Sequence, residues 1–321
     1  MSRTTMVLLV IAAILAAAMS VALPWTPLAA LLDQDPDLAS ALIVELRLPR
    51  AALALVYGAT LGAAGAAVQA LFANPLASPD LTGTTSGAAL GAVMTAYIFG
   101  FASPIALSAG SVAGALGALA LLLALAGPRA ETATLLLAGL AISALAGALT
   151  TLALALAPSP FAFYDAYDWL MGSLVDRSLA QLAFAAVPSL IVIALLLRLS
   201  RPLDRLALGE EVAQSLGHDV LRLRLQIVCL TALGVGACVA ICGAIGFIGL
   251  VAPIFARRLT RGHPGRAVLP AAMIGALLLT TADLAVRLAP LGRTLPIGVL
   301  TALLGAPFFL WLVAHMRWSM R

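Results

Sequence analysis

Apolar runs of about twenty residues, the length a helix needs to cross the hydrocarbon core of a bilayer, recur from one end of this chain to the other. Charge is confined to the gaps between them. Hydrophobic residues make up 63% and charged residues 10% of the 321, a balance outside soluble compositions. Breaks at charge, Pro and Gly predict crossings at about 5–24, 51–73, 84–102, 104–126, 132–157, 180–198, 224–243, 246–260, 267–289 and 296–316. Inside lipid every backbone polar group needs an internal partner, so the spans are helices. The fold class is therefore an all-α, polytopic integral membrane protein of about ten transmembrane helices, a single transmembrane domain over 1–321. The eighth run, GAIGFIGLVAPIFARR, is short and carries Pro253, which suits a broken or re-entrant element. The first has a signal-peptide flavour in Arg3 and AAAMSVA, yet it is long enough to span and is read as an anchor.

All 18 basic residues are arginine. With the N-terminus inside, 13 of them fall on the inner side, and only Arg47, Arg50, Arg177, Arg287 and Arg293 face out, beside Asp33, Asp35, Asp37, Glu45, Asp165, Asp168 and Asp176. The positive-inside rule then puts both termini in the cytoplasm. The net charge of +4 is a topology signal and calls for no nucleic-acid partner.

A chain without lysine has no Walker A loop and no lysine Schiff base, so it is not an autonomous ATPase. His218, His263 and His315 have no ligand at metal-binding spacing, and no metal site is expected. Cys229, Cys238 and Cys242 share one apolar stretch and read as small packing residues. Asp283 is the one acid expected deep in a span. Arg287, one turn on, is its expected ion-pair partner. No His, Asp or Glu groups converge at membrane depth, which argues against a membrane enzyme, and an ion-coupled secondary transporter, the alternative function, has little to couple through.

Small residues recur at helical spacing: Gly58 and Gly62, Gly87 and Gly91, Gly110 and Gly114, Gly139 with Ser143 and Gly147, then Gly243, Gly246 and Gly249. Such rows let backbones approach closely where lipid supplies no hydrophobic drive. Residues 55–81 laid over 233–259 match Gly58 to Gly236, Gly65 to Gly243 and Pro75 to Pro253, a pattern that suggests an inverted repeat. The longest inner connection, about 199–223, mixes both charge signs, and its Leu206, Leu208, Val212 and Leu216 recur on one helical side. Gly209 and Gly217 divide it into two short amphipathic pieces, a docking surface for a cytoplasmic protein.

Six segments carry a resemblance: LRLPRAALALVYGATLGAAGAAVQALFANPLASPDLTGTTSGAALGA (46–92), WLMGSL (169–174), LALGEEVAQSLG (206–217), GAIGFIGLVAP (243–253), TADLAVR (281–287) and LPIGVLTALLGAPFFLWL (295–312). In this order they resemble the permease subunits of the binding-protein-dependent ABC importers for iron–siderophores, haem and vitamin B12, the FecCD-type or type II family. The resemblance implies a vitamin B12 importer permease-like fold in a bacterial cytoplasmic (inner) membrane. It implies a second permease copy, identical or paralogous, two cytoplasmic ATPase subunits that hold ATP and Mg, and an external substrate-binding protein. This chain itself would carry no cofactor and catalyse nothing.

On the same resemblance, Glu210, Glu211, Ser215, Leu216 and Gly217 match the segment that touches the ATPase. Arg47 and Arg50 of LRLPR, with Arg293, match the arginines that dock the binding protein; a helix-end anchor is the other reading of Arg47 and Arg50. Gln69, Asn74, Pro75, Gly139, Ser143 and Gly147 are candidates for the translocation path or gate between two permease copies. The family's APHIAR run stands here as APIFAR, with Ile254 and Phe255 where a histidine and an aliphatic residue are usual, so a role for that histidine does not carry over.

Overall fold

The chain is described by a computed structural model over residues 3–101, 103–127, 132–157, 159–289 and 295–319. Its described residues are helical, joined by turns, with no strand among them. The first apolar run forms α1 (Arg3–Ala22). Three elements then fill the gap before the second expected span: α2 (Trp25–Gln34), α3 (Pro36–Ala41) and a π-helical turn (Leu42–Arg47). Asp35 starts α3 by accepting a hydrogen bond from Leu38 N at 3.0 Å, an N-cap with Pro36 in the first helical position. The π turn runs directly into α4 (Leu48–Leu71), so one continuous helical stretch extends from Pro36 to Leu71.

The remaining elements are α5 (Thr84–Tyr97), α6 (Pro104–Ala126), α7 (Thr132–Ala155), α8 (Pro160–Leu170), α9 (Leu179–Arg198), α10 (Ser200–Leu206), α11 (Glu210–Ser215), α12 (Val220–Cys242), α13 (Ile248–Leu259), α14 (Val268–Leu288) and α15 (Ile297–Ser319). Seven of the described helices are long and apolar enough to cross a membrane, those built on α1, α4, α6, α7, α9, α12 and α14. Of the other three expected crossings, α5 has 14 residues and α13 has 12, while α15 is 23 residues long with Ile297–Leu312 as its described apolar stretch. Among the described residues, α5 and α13 are therefore too short to be full spans.

These two short helices have a common cause. Tyr57 Oη donates to Gly243 O at 3.0 Å and accepts from Ile245 N at 3.3 Å, and Gly249 lies against Leu61 and Gly65. Tyr57, Leu61 and Gly65 stand in the middle of the 24-residue α4, so the 243–247 break is held at mid-depth and α13 has only half the bilayer to cross. Pro79 touches Gly249, which brings the 3-10 turn Pro79–Thr82 to that same level, and α5 starts just after it. The chain re-enters the membrane after α4 and leaves it through a half-span helix.

α4 and α12 form the centre of the bundle, 78% and 72% buried, against 11% to 28% for α1, α6, α7 and α9 around them. α4 runs antiparallel to α14 with Gly58 on Gly275 and Gly62 on Ala271, and α5 pairs with α6 through Gly87 on Gly114 and Gly91 on Gly110. These small-residue rows serve close backbone contact, as expected. Gly65 and Gly243 are not equivalent: the first sits mid-helix, the second ends α12 with φ +71°. The proposed inverted repeat therefore has no counterpart in this alignment. Cys238 and Cys242 are fully buried, Cys238 Sγ lies 3.2 Å from Ser189 Oγ, and Cys229 is exposed.

Candidate functional site

At one end of the bundle the 199–223 segment folds as the two short helices anticipated, α10 and α11, with Gly209 (φ +107°) between them and Gly217 (φ +83°) closing the second. Both glycines hold left-handed backbone that a β-branched residue adopts only under strain. Leu203 and Leu206 turn into the bundle, whereas Leu208, Val212 and Leu216 are exposed. The expected apolar side is thus split: Leu206 secures the loop and the other three present an uncovered apolar face. Glu211, Ser215 and Gly217 are exposed on that loop, with Ser215 Oγ bonded to Glu211 O at 2.9 Å. Glu210 also turns to Arg224, whose Nη2 lies 2.9 Å from its Oε1. Asp204 accepts from Gly265 N at 2.8 Å and lies 3.8 Å from Arg266 Nε, fastening α10 to the start of α14. Arg205 Nη1 contacts His218 Nε2 across the loop.

At the opposite end of the bundle Arg47, Arg50 and Arg287 are occupied. Asp283, 1% exposed, accepts from Nε and Nη2 of Arg50 at 2.8–3.0 Å, one guanidinium edge forked on the carboxylate. This corrects the expected Asp283–Arg287 pair. Arg287 instead donates to the Ser20 and Leu23 carbonyls, and Arg47 donates to those of Val21, Ala22 and Pro24. A helix end leaves its last carbonyls without internal partners, and here two arginines from other elements supply the donors. The intra-helix pair loses because Arg50 reaches Asp283 across the α4–α14 contact in a planar fork, while Arg287 serves the end of α1. Arg47 thus holds the end of α1, and Arg50 ties α4 to α14. Arg293 lies outside the described residues.

The path candidates are not one cluster. Gln69 is buried between α4 and α13, donating Nε2 to Leu250 O at 3.1 Å with Oε1 unpartnered. Asn74 shapes the re-entrant turn, its Oδ1 accepting from Leu76 N at 2.9 Å, and Pro75 follows it half-buried. On α7, Gly139 is buried, Ser143 donates to Asp80 O at 3.1 Å, and Gly147 faces open space. The departure at APIFAR has a local use: the Phe255 ring stacks on Phe308 of α15 at 5.9 Å, and Phe308 meets Trp311 at 5.9 Å.

One residue escaped the sequence reading. Asp80 sits at mid-depth beside Gly246, where the N-termini of the half-span helices α5 and α13 come together, with no arginine in ion-pair range among the described residues. The buried Thr85 hydroxyl stands beside its carboxylate. Helix N-termini carry partial positive charge, which offsets a carboxylate where lipid cannot. Asp283 is therefore not the only deep acid. The signal lay in SPDLTG, an acid with a Pro before it and a Gly after it, a spacing typical of a solvent-side turn.

A helical bundle with interrupted helices at mid-depth and an uncovered amphipathic helix pair at one end has the architecture of a membrane transport subunit. The chain belongs to the FecCD transport family, whose model matches residues 5–315, a family of ABC importer permeases and not of enzymes. It is 44% identical over 287 residues to the vitamin B12 import system permease protein BtuC of Vibrio cholerae, covering 85% of this chain and 83% of that protein. It is 38% identical over 274 residues to the Fe(3+)-citrate import system permease protein YfmE of Bacillus subtilis, covering 85% and 81%. A metal-chelate type ABC transporter solved in an inward-facing conformation superposes with a TM-score of 0.86 at 32% identity over 98% of this chain and 100% of that one. PsaBC from Streptococcus pneumoniae shares the fold alone, with a TM-score of 0.59 at 19% identity over 88% of this chain and 93% of that one.

Proposed function

We propose that this permease carries an iron–siderophore or a related chelate (haem, cobalamin) inward, handed over by an external binding protein and driven by ATP hydrolysis in two cytoplasmic subunits that bind ATP and Mg. Two permease copies form the path, and both termini lie in the cytoplasm. The observation that carries this reading is the exposed face of Leu208, Val212 and Leu216 on the same loop as the exposed Glu211 and Ser215, an apolar and acidic surface at one end of the bundle. Expressed with its neighbouring ATPase, the chain should co-purify with it and support vanadate-sensitive uptake. Gly147 and Ser143 on α7 are the path residues this reading retains. For the outer partner, Arg293 and the residual surface of Arg47 and Arg50 are the proposed contacts.

Gly217→Val should uncouple hydrolysis from uptake without unfolding the bundle, since a Cβ there meets no atom but the φ of +83° disfavours a branched side chain. Coupled transport at the parental rate in that variant removes Gly217 from the machinery. Asp80 gives one specific reason to keep an ion-coupled secondary transporter as a second reading, because a membrane-deep carboxylate is what ion coupling needs. Uptake driven by an ion gradient with no ATPase present would establish that alternative.

A further inference from the structure

We propose that the Glu210–Arg224 pair is the link through which displacement of α11 is passed to α12, with Arg224 as the positioning residue; this rests on the importer reading above. The two short helices grip different spans. α10 packs against α4 and α9, with Leu203 and Leu206 buried, and the Asp204 contacts to Gly265 and Arg266 tie it to the turn before α14. α11, beyond the Gly209 break, holds the bundle through the buried Ala213 side chain and through Glu210.

The pair is unequal in a useful way. The Glu210 side chain is 54% exposed and moves with the loop, while that of Arg224 is 9% exposed and is set in the second turn of α12. Its Nε is buried without an acceptor, so the guanidinium uses one edge and leaves a donor unspent. A buried donor without a partner is costly, and it marks a second geometry in which Glu210 supplies its other oxygen after α11 shifts. From Arg224 the helix runs 18 residues, about 27 Å at 1.5 Å per residue, to Cys242 and the break that Tyr57 holds beside Asp80. A push on Glu210 is therefore delivered along a stiff rod to the mid-membrane interruption.

The test uses the permease reconstituted with its ATPase and binding protein, reading chelate moved per ATP hydrolysed. Arg224→Gln should keep the ATPase bound and hydrolysing while this ratio falls about tenfold, and Glu210→Arg combined with Arg224→Glu should recover most of what either charge reversal alone loses, the coupling a double-mutant cycle isolates. A merely structural pair would lower assembly and hydrolysis together at constant ratio, and that result overturns the proposal, as does an unchanged ratio in all variants or an exchange that stays uncoupled. A parent complex that transports without hydrolysis refutes the importer reading itself, and the link with it.

Discussion

Gly65→Val should remove the protein from the folded membrane fraction, whereas Gly147→Val should leave it there. A Cβ built on Gly65 would lie 1.8 Å from Gly249 O and 2.7 Å from its carbonyl carbon. Both are backbone atoms, so no side chain can yield. α4 and α13 would have to separate by more than an ångström, in a contact that also positions Gln69 against Leu250. Overpacking costs roughly 1–3 kcal/mol where side chains can adapt, and more where they cannot, a large share of the stability of any folded protein. Gly147 has no atom within 4 Å of its built Cβ, so valine there strains nothing. Monodispersity in detergent and thermal aggregation temperature separate the two. If Gly65→Val behaves as the parent, the close α4–α13 contact is not formed. A folded but slow Gly147→Val importer would support its place on the path.

Arg50→Glu should be nearly as damaging, for an electrostatic reason. The change sets a second carboxylate against the Asp283 side chain, 1% exposed, and removes three short hydrogen bonds across the α4–α14 interface. Breaking a buried pair by removing one partner costs about 3–5 kcal/mol, because the remaining charge is left without compensation. Arg50→Glu combined with Asp283→Arg should restore part of that loss, although the fork geometry will not be reproduced. Arg47→Glu should be milder, since its guanidinium serves neutral helix-end carbonyls of α1 and its loss strands no buried charge. The decisive measurement is thermal stability at two salt concentrations. Loss of binding-protein capture from Arg50→Glu at unchanged stability would return Arg50 to the docking surface.

The sequence made the long apolar helices legible because length and hydropathy alone define them: α6 is the expected crossing residue for residue, and α9 within one. The 199–223 division was equally readable, because Gly209 and Gly217 punctuate it and left-handed backbone is something a sequence announces. Pairing between elements was not. Asp283 stands one turn from Arg287, and only the register of α4 on α14 reveals that Arg50 is nearer. The same blindness hid Asp80. A short helix beginning at mid-depth and a full helix beginning at the surface give similar hydropathy, and a turn acid looks solvated unless its depth is known. The helices at 25–47 and 160–170 also went unread, being neither long enough to span nor periodic enough to stand out.

The half-span helices bear on how such a chain is made. A segment of 14 or 12 residues is too short to be handed to lipid as an independent unit during synthesis. α5 can settle only beside a neighbour already in place, and α13 only against α4, which emerges from the ribosome some two hundred residues earlier. Maturation of this permease is therefore a late docking event: the last third of the chain must come back to the first before either interruption at mid-depth is sealed from lipid.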